Sequence, residues 1–476
     1  MDTASVQFIL FGLAVVLVTN VSHARAWRAS VLLVASAIFL GMLAHNPVTL
    51  LPLIGFLLLG YFGMLLMAWG VPKAPTGSLL VMIFAYVWLK KYTLLPEFGL
   101  LHFSYFTLGL SYIFFRVLHL LIEAGEGHRR ISLGAYLLYT LNFTTLVSGP
   151  IQRYDEFARD QFAEAPIPLG PRVVGRQLER IVYGFFKVNV LAMLLHAAQQ
   201  DALADLALPL PPLQKFYAAI RLTALFPLFL YANFSGYIDI VIALARLMRL
   251  RLPENFDRPF SASCFIDFWT RWHITLSNWL KSYVYNPLLV ALMRRITAPA
   301  LEPFLGVFCF FVTFFLVGVW HGRTSEFLFF GLLQGGGVAI NKLWQLVLTR
   351  RLGRKRSRAL AVNPLYVAMG RGLTYSWFAF TLFWFWADWK QIAMVFHALG
   401  PLEWCGMGLA LWLLAAATLA MWEVLRTALL SIRSGEGPLL CNRYARVVFA
   451  SAVGLAAFVI TFLLSQPAPD LVYKAF

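Results

Sequence analysis

Phe304-Leu305-Gly306-Val307-Phe308-Cys309-Phe310-Phe311-Val312-Thr313-Phe314-Phe315-Leu316-Val317-Gly318-Val319-Trp320 is an almost unbroken apolar run, and it closes on His321-Gly322-Arg323. Its length suits a helix crossing most of a hydrocarbon core about 30 Å thick, at about 1.5 Å per residue. Comparable runs recur along the chain, at approximately 4–21, 29–44, 48–69, 78–92, 100–122, 131–147, 181–197, 216–247, 327–348, 365–386, 407–421 and 447–464. The 476 residues are 60% hydrophobic and only 13% charged, a balance that excludes a water-soluble globule, in which about 25% charge is usual. The expected fold is all-α and polytopic, with roughly 11–13 membrane segments plus re-entrant and amphipathic helices. One membrane domain should cover residues 1–465, leaving 466–476 as a tail. The run from Val6 to Val18 lacks a basic region before it, so it reads as a retained span rather than a secretory signal.

The formal charge is +17, but its basic residues fall in short clusters between apolar runs: 23–28, 246–251, 294–295, 350–358 and 433–446. That pattern orients a membrane protein and contacts anionic lipid, and it does not indicate nucleic acid. Placing the basic loop 350–358 in the cytoplasm puts the tail outside, and the acidic stretch 199–212 falls outside as well. Strict alternation fails between Arg129-Arg130 and 153–180, so a segment such as 131–147 is expected to dip in and return. The cysteines Cys264, Cys309, Cys405 and Cys441 lie far apart, which indicates neither a disulfide framework nor a metal site.

The stretch 249–295 is no simple span. Within it Phe265, Phe268, Trp272, Leu276, Trp279 and Tyr283 recur at three- and four-residue steps, opposite Asp267, Arg271, Asn278 and Lys281, which predicts an amphipathic helix over Asp267–Tyr285. Irregular polar backbone at membrane depth is tolerated where it is buried in protein or lines a water-filled cavity, so a site is expected here. Ionisable groups within apolar runs cost roughly 2.5–3.5 kcal/mol on insertion scales. Asp239 and Arg116 are such groups, read either as site residues or as packing groups satisfied by a partner, with each able to brace the other. His321 closes its apolar run, and a neutral imidazole, with a pKa near 6.5, can take a proton from an attacking hydroxyl. From position alone, a structural role for His321, and for His273 between Arg271 and Thr275, is the more common one. Nucleophile elbows, phosphate-binding glycine loops and His/Cys metal patterns do not occur in the sequence.

Five motifs follow one another in order: Ser148-Gly149-Pro150-Ile151-Gln152-Arg153-Tyr154; Asn233-Phe234-Ser235-Gly236-Tyr237-Ile238-Asp239; Glu254-Asn255-Phe256 with Arg258-Pro259-Phe260; Asp267-Phe268-Trp269-Thr270-Arg271-Trp272-His273-Ile274-Thr275-Leu276-Ser277; and Gly318-Val319-Trp320-His321-Gly322. The ordered set, spread over about Leu100–Leu348, resembles the membrane-bound O-acyltransferases, in the bacterial branch of alginate O-acetylation and teichoic-acid D-alanylation proteins. The sequence departs from the family pattern at Ile238, where serine is usual, and at Ser282, where an acid is usual.

The resemblance implies His321 as the catalytic histidine and His273 as a second site residue. It also implies substrate or tunnel contacts from Trp320, Asn255, Asp239, Ser235, Arg271 and Trp272, with no metal and no bound cofactor. The tail Leu471-Val472-Tyr473-Lys474-Ala475-Phe476 resembles endings in which a tyrosine carries the acyl group transiently, and a phenol, with pKa about 10, is a better leaving group than an alkyl alcohol. The implied donor is acetyl-CoA or an acyl-carrier thioester on the cytoplasmic side. The implied partner is an extracytoplasmic acyltransferase that modifies a polysaccharide, and the implied location is the bacterial inner membrane with the C-terminus outside. D-alanyl transfer to teichoic acid is the rival within the enzyme class, and a transporter or flippase is the rival outside it.

Overall fold

The computed structural model describes residues 5–44, 46–93, 105–127, 130–431 and 442–464, together with 96, 101, 103, 433, 434, 437 and 438. These residues are overwhelmingly helical, as an apolar chain in lipid must be, because a helix satisfies its own backbone groups. One two-residue ladder, Arg433–Ser434 with Gly437–Pro438, is the only extended pairing besides an isolated bridge among the described residues. Among the described residues, seven helices are long and apolar enough to cross a membrane: Arg25–Leu43, Pro47–Ala68, Pro171–Ala207, Pro212–Leu247, Glu302–His321, Pro401–Ser431 and Arg443–Thr461. Val6–Thr19 and Ala74–Leu89 are shorter apolar helices, so the expected polytopic architecture is present with several of its segments shortened or more charged. The tail 466–476, including Tyr473, lies outside the described residues.

The described residues form two compact units, one within 5–189 and 233–254, the other within 190–232 and 255–464. In the first, Phe8, Phe39 and Phe143 pack ring against ring around centroid distances of 5.6–6.5 Å. The expected dip at 131–147 is a helix of eight residues, Leu133–Thr140, about 12 Å long and too short to cross. It is followed by the buried, non-helical polar stretch containing Asn142, Thr144, Thr145 and Ser148. Arg116 makes this tolerable, since its guanidinium donates to the carbonyls of Tyr139 and Thr140, at 3.4 and 2.8 Å, and to that of Thr145. The first two are orphan acceptors that a helix end leaves behind and the third belongs to the non-helical stretch, so Arg116 is engaged here, while Asp239 pairs with other cations.

In the second unit Glu302–His321 and Ser325–Ala361 form a tight hairpin. Glycines set its spacing: a Cβ on Gly331 would stand 2.5 Å from the carbonyl oxygen of Phe315, and one on Gly335 2.5 Å from that of Phe311. A Cβ on Gly318 would strike the Gly331 backbone itself, so only small residues permit this approach. The basic stretch 350–358, expected as a loop, continues the second helix across a break at Gly353 (φ 75°, ψ 161°). Its arginines are exposed, so solvation of their charge does not require unwinding.

Candidate active site

The amphipathic stretch does not run as one helix. Phe265–Arg271 ends at Trp272, His273 takes a left-handed conformation (φ 47°, ψ 52°), and Ile274–Leu280 begins immediately after it. A π segment over Lys281–Tyr285 then leads into Asn286–Arg295. The stripe survives the break, with Phe265, Phe268, Trp272, Leu276 and Trp279 buried while Asn278 and Lys281 are exposed. The helical period was legible because these side chains face one core. The break was not, because it is imposed by partners remote in sequence.

Those partners are Asn255–Asp257. The Asn255 carbonyl accepts from the Ile274 amide at 3.0 Å, and the Asp257 amide donates to the Arg271 carbonyl at 3.0 Å. Phe256 and Trp272 form the bridge between these two bonds. The Asn255 side-chain oxygen accepts from the Thr275 amide and hydroxyl, at 3.1 and 2.6 Å. A non-glycine residue in the left-handed region is strained by about 1–2 kcal/mol, and it persists only where surroundings over-determine it. Here His273 is held on both sides by this short ladder.

His273 and His321 are 1% and 2% exposed. Trp320 packs against both, its centroid 6.2 Å from the His273 ring and 4.6 Å from that of His321. Phe385 and Phe330 face the His321 ring at 5.1 and 5.9 Å. His321 is the last residue of its helix, and Gly322 turns the chain where a Cβ would run into the Phe327 ring. Burial holds the His273 imidazole neutral, with its pKa pushed down to about 3. A low-dielectric aromatic enclosure strengthens the polar contacts made inside it.

His321, His273, Trp320, Asn255 and Trp272 thus come together in one unit. Arg271 belongs to the same unit but engages its surroundings differently, pairing with Asp267 at 2.9 Å and with Asp257 at 3.7 Å while partly exposed. Asp239 and Ser235 are in the other unit. The Asp239 carboxylate is taken up by Arg180 at 2.9 Å and Lys187 at 2.7 Å, and Arg180 also grips Glu254 through two bonds of 2.7 and 2.6 Å. Ser235 is buried, 3% exposed. Sequence reasoning overlooked Phe330, Phe385 and Thr275. The signal for Phe385 was present in the aromatic run Phe383-Trp384-Phe385-Trp386, which reads as membrane packing until its neighbour is known. Among the described residues no group of three or more His, Cys, Asp or Glu is arranged to hold a metal ion.

A polytopic helical protein with a buried histidine pair around a Trp-His-Gly helix end defines a class of membrane enzyme, and comparison with known sequences specifies it. The chain belongs to the membrane-bound O-acyltransferase family, whose profile matches residues 126–385. It is 29% identical over 280 residues to the teichoic acid D-alanyltransferase of Streptococcus thermophilus, covering 56% of this chain and 65% of that one. It is 30% identical over 249 residues to a Pseudomonas syringae pv. tomato protein named "Probable alginate O-acetylase AlgI", covering 49% and 42%. It is also 30% identical over 210 residues to the peptidoglycan O-acetyltransferase of Helicobacter pylori, covering 44% and 37%. The chain spans less than two thirds of the length of each of these relatives.

Proposed function

We propose that this protein is an O-acyltransferase that takes an acetyl group from a cytoplasmic thioester, acetyl-CoA or an acyl carrier, and passes it across the bacterial inner membrane to a hydroxyl destined for an extracytoplasmic polysaccharide. The observation that carries the reading is the burial of His321 and His273, both in ring contact with Trp320. Names of relatives support the reaction class, as two of the three are named probable alginate O-acetylase and peptidoglycan O-acetyltransferase.

In this scheme neutral His321 removes the proton from the acceptor hydroxyl as its oxygen attacks the thioester carbonyl. A C–O bond forms, the resulting tetrahedral intermediate expels the thiolate as the C–S bond breaks, and the proton passes from His321 to sulfur. Trp320 walls the site and keeps water from competing for the acyl group. Asn255 and Trp272 fix the His273 side of the enclosure. The first acceptor is the phenol of Tyr473 in the tail, and a separate extracytoplasmic acyltransferase then moves the acetyl group to the polymer. The C-terminus lies outside in this arrangement, a placement that the basic clusters support.

Purified protein incubated with labelled acetyl-CoA tests the reading, followed by mass analysis of the intact C-terminal peptide. Label on Tyr473 that disappears in His321→Ala is the expected result. Label that persists in that variant overturns the assignment of His321. Polymer acylation that survives deletion of 471–476 but not His321→Ala removes the relay and leaves direct transfer. A carrier-bound D-alanyl thioester as the only accepted donor would move the function to D-alanylation, as the name of the Streptococcus relative suggests.

A further inference from the structure

Four arginines of the first unit converge on the chain segment 160–168, and they share one buried carboxylate. Arg251 takes it, donating its backbone amide to Asp160 Oδ2 at 2.9 Å and Nη2 to Oδ1 at 2.5 Å. The other three are held by uncharged acceptors. Arg28, 2% exposed, donates to the carbonyls of Asp160 and Ala163 at 3.1 and 2.5 Å. Arg249 donates to the Ile167 carbonyl at 2.9 Å and to Asn20 Oδ1 at 2.8 Å, and it stands 3.0 Å from His23 Nε2. Arg246 reaches the Pro168 carbonyl at 3.2 Å. The Arg28 and Arg246 guanidinium groups each feel the charges of Arg249 and Asp160. The other carboxylate of the segment, Glu164, is exposed and makes no ion pair among the described residues.

The charge does not close. Four guanidinium groups face one carboxylate; Arg251 is exposed and Arg246 and Arg249 half-buried, while for buried Arg28 carbonyl dipoles only partly replace the hydration that burial removes. Two shielded nitrogens, Arg28 Nε and Arg246 Nη1, have no acceptor. Arg249 is itself held at φ 67°, a strained conformation that brings its side chain to the same segment. Planar guanidinium forks match the oxygens of carboxylates and phosphates, and with the one buried carboxylate already taken by Arg251, a phosphate, with its larger charge and more acceptor oxygens, suits the remaining three. Arg28 lies in the first turn of the candidate span Arg25–Leu43 and Arg246 in the last turn of Pro212–Leu247, and helix ends meet the membrane surface where headgroup phosphates sit.

We propose that Arg28, Arg246 and Arg249 form a binding site for the phosphate of a phosphate ester, separate from the histidine enclosure and independent of the acyl-transfer reading. Such a ligand supplies the missing negative charge and acceptors for the two unserved nitrogens. An anionic phospholipid and a soluble phosphate ester share this chemistry.

The test uses the full-length protein and Arg246→Gln in nanodiscs of phosphatidylcholine, with and without phosphatidylglycerol, and with adenosine 3′,5′-bisphosphate as the soluble probe. Native mass spectrometry after release counts retained lipid, and thermal unfolding gives the midpoint shift for each addition. One retained phosphatidylglycerol, bound at least tenfold more weakly by Arg246→Gln, establishes the site with a lipid ligand. A midpoint raised by the bisphosphate in phosphatidylcholine alone, and unmoved in the variant, establishes it with a soluble one. Equal retention and equal midpoint shifts in both proteins overturn the proposal and leave the arginines as staples of the 160–168 segment. Should Arg246→Gln not fold, Arg249→Lys preserves the charge without the fork. It is expected to weaken binding about tenfold, and unchanged binding in it overturns the proposal equally.

Discussion

Asn255 accepts two hydrogen bonds from Thr275 through one side-chain oxygen, 3.1 Å from the amide and 2.6 Å from the hydroxyl, with both residues buried. Two bonds on a 0% exposed side chain make this a fixed point beside His273. Asn255→Ala removes the side-chain oxygen that both Thr275 donors bond, at a cost of about 1–3 kcal/mol. The expected result is a lower unfolding midpoint and a fall in acyl transfer. Asn255→Asp, which keeps the accepting oxygen, should recover part of the transfer. A positioning role for Asn255 is lost if the two variants lose transfer equally while both remain folded.

Gly318 and Gly336 offer a matched comparison on the same hairpin. A methyl group at Gly318 would drive into the Gly331 backbone, whereas one at Gly336 meets nothing within 4 Å. Gly318→Ala should destabilise the protein by about 1–3 kcal/mol, as overpacking does, and should reduce transfer because His321 ends the same helix. Gly336→Ala should leave the unfolding midpoint unchanged or slightly raised, because alanine favours helix over glycine by about 1 kcal/mol. Circular dichroism melts of the two variants side by side decide the matter, and equal midpoints would refute close packing at Gly318.

The His273 imidazole has a folded-state pKa near 3, against about 6.5 in the unfolded chain. Above pH 6.5 neither state is protonated and the ring adds no pH dependence. As pH falls from about 6.5 towards 3 the unfolded chain gains a proton that the folded protein refuses, so stability declines by up to about 1.4 kcal/mol per pH unit. Unfolding midpoints recorded between pH 7 and pH 4 should therefore fall more steeply for the wild type than for His273→Asn. Parallel curves would show that His273 is not held neutral by burial.

Asp239 is occupied by Arg180 and Lys187, with its side chain 17% exposed. Asp239→Asn removes the partner of Lys187, while Arg180 keeps Glu254. Partial exposure of the cations moderates the cost, expected at about 1–3 kcal/mol rather than the full value for a sealed pair. Transfer per folded molecule should stay close to wild type. A normally stable Asp239→Asn protein without transfer would return Asp239 to the reaction itself.

The helical, membrane-embedded character was legible from apolar run length, because lipid leaves the backbone few alternatives. The burial of Trp272 and the exposure of Lys281 were legible for a related reason, since a period of 3.6 residues reports which face meets a core. What could not be read was any geometry set by contacts remote in sequence. His273 breaks its helix because Asn255, eighteen positions earlier by number, hydrogen-bonds across it. Asp239 chose Arg180 over Arg116 because the close approach of Gly184 and Gly236, where a Cβ on either would meet the other's carbonyl oxygen at 2.6–2.8 Å, brings the Arg180 helix alongside. Glycine positions announce that helices approach, and only the fold says which ones.

The seam between Gly318 and Gly331 has one more effect. His321 ends one of the two helices and Phe330, which faces its ring at 5.9 Å, sits beside Gly331 on the other. Bilayers of different thickness are accommodated by tilting helices, and a pair brought into backbone contact by its glycines is expected to tilt as one piece. The imidazole and its aromatic neighbour then travel together, so lipid composition changes the angle of the hairpin while sparing the spacing on which proton transfer depends.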